Sequence, residues 1–189
     1  MACTKAPDHE TQREQILELV ATKFVQMSYL STSKARLYHY YESKEAILFD
    51  LLDRYTKRLM LIIAEVEGAS QRRGLTERDA FAELVRTFLV EYETSHNRHV
   101  ALLNDVKYLE DAQREIVLDR QRDIVAAFVR QLTRISEACH ERQPDRAHHD
   151  GLGMINWTFT WLKPGGKLGY SAFAEQVVDM IERGLSGEA

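Results

Sequence analysis

Apolar residues recur along this chain at the three- and four-residue spacing that lines one face of a helix. Ile16, Leu17, Val20 and Phe24 set a first amphipathic helix from about Thr11 to Met27, behind an aperiodic arm, Met1 to Glu10, that contains Pro7. Thr32 and Ser33 are N-cap types and Leu37 and Tyr41 stand four apart after them, so a short helix is predicted from Lys34 to about Tyr41. Ser43 then caps a long helix with Glu45 in its first turn, where the helix dipole favours a carboxylate. Its stripe is Ile47, Leu48, Leu51, Leu52 and Tyr55, continuing through Leu59 and Ile62 toward Val66, and the Gly68 to Gly74 segment is expected to end it. Phe81, Leu84, Val85, Phe88, Leu89 and Tyr92 make the next helix, and a shorter one is predicted from about Arg98 to Leu109.

From Asp111 to about Ser136 a further helix carries Ile124, Phe128, Leu132 and Ile135 on one side. Pro144 suits the first turn of the next, with Met154, Trp157, Thr158 and Trp161 on one face. The chain breaks over Lys163 to Gly169, and Ser171 is expected to cap a last helix striped by Phe173, Val177, Met180 and Ile181. Three prolines and nine glycines in 189 residues leave room for long helices, so the fold class is all-α. The expected division is a smaller N-terminal domain over 1–57 and a larger domain over 58–189, joined within the long helix.

Hydrophobic residues at 44% and charged residues at 29% mark a folded globular chain. A net charge of -4 argues against indiscriminate coating of nucleic acid, because such binding is driven by phosphate neutralisation. Any DNA contact is therefore local. Cys3 and Cys139 have no metal or disulfide spacing, no stretch is long and apolar enough to span a membrane, and the polar start through Arg13 lacks a signal-peptide core. A cytoplasmic location is the expectation.

The segment Ser33-Lys34-Ala35-Arg36-Leu37-Tyr38-His39-Tyr40-Tyr41-Glu42-Ser43-Lys44-Glu45-Ala46 concentrates the chemistry. A recognition helix needs one face pinned to a small core, which Leu37 and Tyr41 suit, and another presenting base readers. Lys34 and Tyr38 share a face from which an ammonium and a phenol reach phosphate oxygens. Ala35 and His39 lie on the far side, where a small residue permits close approach to the groove. Arg36 suits a guanine edge or a phosphate. Lys44 opens the following helix, whose N-terminus also favours phosphate. The alternative is that the tyrosines are ordinary core, although three tyrosines and a histidine beside two basic residues are poorly suited to burial alone.

This segment resembles the second half of the helix-turn-helix of the TetR family of regulators. The resemblance implies phosphate contacts by Lys34, Tyr38, Tyr40 and Lys44 and sequence reading by Ala35, Arg36 and His39, with Ser33 completing the expected DNA-binding set. It departs from the family at one point. A supporting helix of roughly two turns should precede the recognition helix, and Tyr29-Leu30-Ser31-Thr32 leaves no room for it. Losing that helix would strand the apolar face of the recognition helix. A discontinuity between about Tyr29 and Thr32 is therefore expected in preference to a true deletion.

Asn156-Trp157-Thr158-Phe159-Thr160-Trp161-Leu162-Lys163-Pro164-Gly165-Gly166 is similar to the C-terminal region of TetR regulators that govern fatty-acid, phenylacetate or steroid breakdown. That similarity implies a small-molecule effector such as an acyl-CoA or aromatic CoA thioester. Phe88, Tyr92, Tyr108, Phe128 and Trp157 are the candidate apolar lining, and Asn104 and Lys107 the candidate polar contacts; each also reads as core or solvated surface. The resemblance further implies a homodimer through the helix holding Trp157 and the last helix, unless these stripes face the chain's own core.

His96, His99, His140, His148 and His149 show no ligand spacing, so no metal site is expected. No nucleophile, base and oxyanion site are grouped, and Gly165-Gly166 lacks the strand-turn-helix context of a phosphate loop, so neither an enzyme nor a cofactor is expected. The function these observations support is a ligand-responsive transcriptional regulator, a repressor that an effector releases from double-stranded operator DNA by tilting the long helix. The rival is a helical dimeric interaction or ligand-binding protein without sequence-specific DNA binding.

Overall fold

The computed structural model describes residues 41–139 and 166–186, together with Leu17 and Leu162. All regular structure among the described residues is helical: α1 Lys44–Arg73, α2 Glu77–Thr94, α3 His96–Asn104, a 3-10 turn Val106–Tyr108, α4 Asp111–Cys139 and α5 Tyr170–Ser186. The expected all-α class is therefore the observed one. Leu17 is helical and buried. The remainder of the first helix, the recognition helix, the supposed break near Tyr29 and the helix carrying Trp157 lie outside the described residues.

Helix ends follow local chemistry. The Ser43 hydroxyl accepts from the Ala46 amide at 3.0 Å, starting α1 where a serine cap was expected. Its other end lies at Gly74, later than Gly68, which sits inside the helix. Gly74 takes φ 63, the Gly74 amide donates to the Gln71 carbonyl and the Leu75 amide to the Ser70 carbonyl, a Schellman closure. Arg72 and Arg73 in the last turn complement the dipole. Two residues later Thr76 caps α2, its hydroxyl accepting from the Asp79 amide at 3.1 Å.

Three further expectations change. The single helix predicted over Arg98 to Leu109 is α3 followed by a 3-10 turn, because the Asn104 side chain donates to the Val100 carbonyl at 3.1 Å and the helical path stops at Asp105. Ser171 does not cap the last helix. That helix begins at Tyr170, with the Phe173 amide donating to the Gly169 carbonyl, because the buried Tyr170 ring is held by its hydroxyl donating to the Leu162 carbonyl at 3.0 Å. Met180 leaves the stripe and is 57% exposed; the buried set is Phe173, Ala174, Val177, Val178 and Ile181.

The chain divides into two compact units: Met1–Tyr55 with Asn97–Val117, and Thr56–His96 with Leu118–Ala189. α1 and α4 each continue from one unit into the other. In the first unit, Ile47, Leu48, Leu51, Leu52 and Tyr55 of α1 are buried, as are His99, Ala101 and Leu102 of α3. In the second, α2 packs along α5. Arg86 clamps Glu175 there with both guanidinium arms, at 2.5 and 2.8 Å, and this hydrogen bonding holds the Glu175 carboxyl below its ordinary range.

Candidate functional site

In the first unit, the start of α1 positions the one member of the expected DNA-binding set that is described. Lys44 is exposed at the first residue of the helix. Its ammonium and the free amides of the opening turn thus face solvent at the positive end of the dipole, an arrangement suited to a phosphate. Ser33, Lys34, Ala35, Arg36, Tyr38, His39 and Tyr40 lie outside the described residues. Tyr41, expected to pin the recognition helix, is buried, and its hydroxyl donates to Asp50 Oδ2 at 2.6 Å. Arg54 Nε donates to the other oxygen, Oδ1, at 2.9 Å. Sequence reading assigned Tyr41 to packing and missed this polar tie, because a partner nine residues away follows no helical spacing.

Farther along α1, Tyr55 is fully buried, with its hydroxyl 3.3 Å from His99 Nδ1 and the two rings edge to face. His99 is thus an interior residue joining α3 to α1. Among the described residues no group of histidines, cysteines or carboxylates is arranged to hold a metal ion.

Phe88, Tyr92 and Phe128, from the candidate effector lining, meet in the second unit. Phe88 lies 4.8 Å from Phe128 with the rings at 90°, and 5.9 Å from Tyr92 at 70°. Phe81, buried on the same helix, completes the group at 6.3 Å from Phe128. All these rings are closed off from solvent, and burial drives the Tyr92 phenol well above its ordinary pKa. Edge-to-face packing fills the space between the rings, so a ligand entering here would have to part them. The other candidates lie elsewhere. Asn104 is exposed in the first unit, as are Lys107 and the 61% exposed Tyr108, with the Lys107 ammonium 5.1 Å from the Tyr108 ring centre. Trp157 lies outside the described residues.

Two polar side chains in the second unit escaped the sequence reading. Ser70 on α1 and Gln131 on α4 are buried, and neither the Ser70 hydroxyl nor the Gln131 carbonyl has a hydrogen-bond partner among the described residues. A signal existed: Gln131 falls between Phe128 and Ile135 in the α4 stripe, and Ser70 falls four residues beyond Val66 in that of α1.

The described residues define an all-helical protein whose long α1 is capped just after a basic, tyrosine-rich stretch of the sequence. The family model described as "Tetracyclin repressor-like, C-terminal domain" matches residues 74–185. No curated protein sequence matches the chain. Among solved structures, a TetR-family transcriptional regulator from Bordetella parapertussis 12822 is 31% identical, with 91% of this chain and 94% of that one covered at a TM-score of 0.80. The ketosteroid transcriptional regulator KstR2 of Mycobacterium tuberculosis shares the fold at 18% identity and a TM-score of 0.78, covering 93% and 94% of the two chains. AibR in complex with isovaleryl coenzyme A and operator DNA does so at 21% identity and a TM-score of 0.71, covering 89% and 96%. The chain belongs to the TetR family of transcriptional regulators.

Proposed function

We propose that this regulator acts as a homodimeric repressor in the cytoplasm, binding operator DNA through residues 1–57 and a small effector through residues 58–189, with no catalytic step. The observation that carries the reading is the family match over 74–185 joined to a capped α1 that presents Lys44 at its N-terminus. Ser33, Lys34, Ala35, Arg36, Tyr38, His39, Tyr40 and Lys44 are the proposed DNA-contacting set. For the acyl part of the effector we assign Phe88, Tyr92 and Phe128, whose parting would change the packing of α2 against α4. α1 continues from the unit holding these rings into the one that carries Lys44, and the proposed release is a tilt of that helix.

An acyl-CoA or aromatic CoA thioester fits as effector; support comes from AibR, a protein of the same fold whose complex holds isovaleryl coenzyme A and operator DNA. The test is fluorescence anisotropy with a duplex from the promoter of the chain's own gene, a scrambled duplex, and added isovaleryl-CoA or phenylacetyl-CoA. Preference for the promoter duplex by about a thousandfold or more, falling steeply with salt and lost on adding one of the thioesters, is the expected result. Equal affinity for both duplexes would leave a helical interaction protein and overturn the DNA-binding reading. Operator release by neither thioester would overturn the effector class alone.

A further inference from the structure

Asp50 accepts two hydrogen bonds at once, and they come from opposite sides along the sequence. Tyr41, just before the start of α1, donates to Oδ2 at 2.6 Å; Arg54, one turn farther along α1, donates to Oδ1 at 2.9 Å. The carboxylate is largely shielded, with 16% of its side chain exposed against 25% for Arg54. Only Glu42 and Ser43 separate Tyr41 from the helix, and the Ser43 cap fixes the helix start. Tyr41 is therefore tied to α1 by its phenol reaching down the helix to Asp50, two residues before the Ser43 cap that starts the helix.

We infer that Asp50 is a positioning residue for DNA recognition: held in place by Arg54, it captures the Tyr41 hydroxyl and so sets the direction in which the recognition segment leaves α1. A tyrosine needed for burial alone would be served by phenylalanine. The hydroxyl here instead makes a short bond to an ionised acceptor, which is among the stronger and more directional contacts a side chain forms. None of these three groups is proposed to touch DNA. The chemistry they supply is orientation, and orientation affects specific binding more than general attraction to phosphate, since base readers must meet their edges while phosphate neutralisation tolerates misalignment.

This inference rests on the DNA-binding reading above. The test compares wild type, Tyr41→Phe, Asp50→Ala, Asp50→Asn and the Tyr41→Phe/Asp50→Ala double variant, all at a temperature where circular dichroism shows each fully folded. Tyr41→Phe and Asp50→Ala should each weaken binding to the promoter duplex by about tenfold while leaving affinity for a scrambled duplex unchanged. The double variant should be little weaker than either single one, because both remove the same bond. Asp50→Asn, which keeps an acceptor oxygen, should recover part of the loss. Unchanged promoter affinity in Tyr41→Phe would overturn the inference alone. Equal losses on both duplexes would also overturn it, marking a direct phosphate contact, and additive losses would show two unrelated roles. If wild type shows no preference for the promoter duplex, the DNA-binding reading falls and this inference with it.

Discussion

Gln131 stands in the apolar stripe of α4, one turn beyond Phe128, with 3% of its surface exposed and its side-chain carbonyl without a partner among the described residues. A side-chain carbonyl buried without a partner loses its hydrogen bond to water and regains none, which costs about 1–3 kcal/mol. Replacing it by an unbranched apolar side chain of similar length should therefore stabilise the protein. Gln131→Met is expected to raise the unfolding free energy by about 1–2 kcal/mol, read from urea melts at constant m-value; a fall would mean that the amide is satisfied in solution. That Gln131 faces inward was legible, since it lies between two stripe residues. That nothing answers its carbonyl was not, because partners across a core come from other helices. The same limit hid the burial of His99 against Tyr55, whereas Lys44 at an exposed helix start followed from the serine before it.

Among the elements, α1 shows how short signals place a boundary. Gly68 and Gly74 are both helix-ending residues by type, and only the second ends the helix. Gly74 adopts a left-handed backbone at φ 63, and Thr76 begins the next cap two residues on. A Cβ at Gly74 would meet no atom within 4 Å, so the penalty of a side chain there is backbone strain alone. Gly74→Ala should destabilise the protein by about 1 kcal/mol, and Gly74→Asn by less, because asparagine tolerates the left-handed region. Equal stability of the alanine variant would show that the α1 to α2 turn rearranges freely. The start of α5 and the membership of its stripe changed for a different reason. Tyr170 and Ile181 are placed by burial, so the serine next to the first and the methionine next to the second were left facing solvent.

At the scale of the whole molecule, the second unit draws together residues distant in sequence. The Tyr170 hydroxyl lies 3.4 Å from His96 Nδ1, across 74 positions, while donating to the Leu162 carbonyl. Burial lowers the His96 pKa below its ordinary 6.5, so the folded protein resists a proton that the unfolded chain accepts. Stability is full above about pH 6.5 and declines as the pH falls through the interval down to the lowered folded value. Melting temperature should thus drop between pH 7.5 and 5.5, and His96→Gln should flatten that dependence; an identical slope in the variant would show that His96 titrates normally. The apolar stripe of α5 is buried within the chain itself, and Met180, at the edge of that stripe beside Phe173, is exposed.

The sequence by itself determined the helical class, the order of the described helices, the cap at Ser43 and the family resemblance, because periodicity and capping are local and each is set by residues within a turn or two. The tertiary structure alone decided which polar groups are paired, which aromatic rings meet and which face of α5 is covered. Those outcomes depend on the approach of helices far apart in sequence, and no short-range pattern encodes that approach.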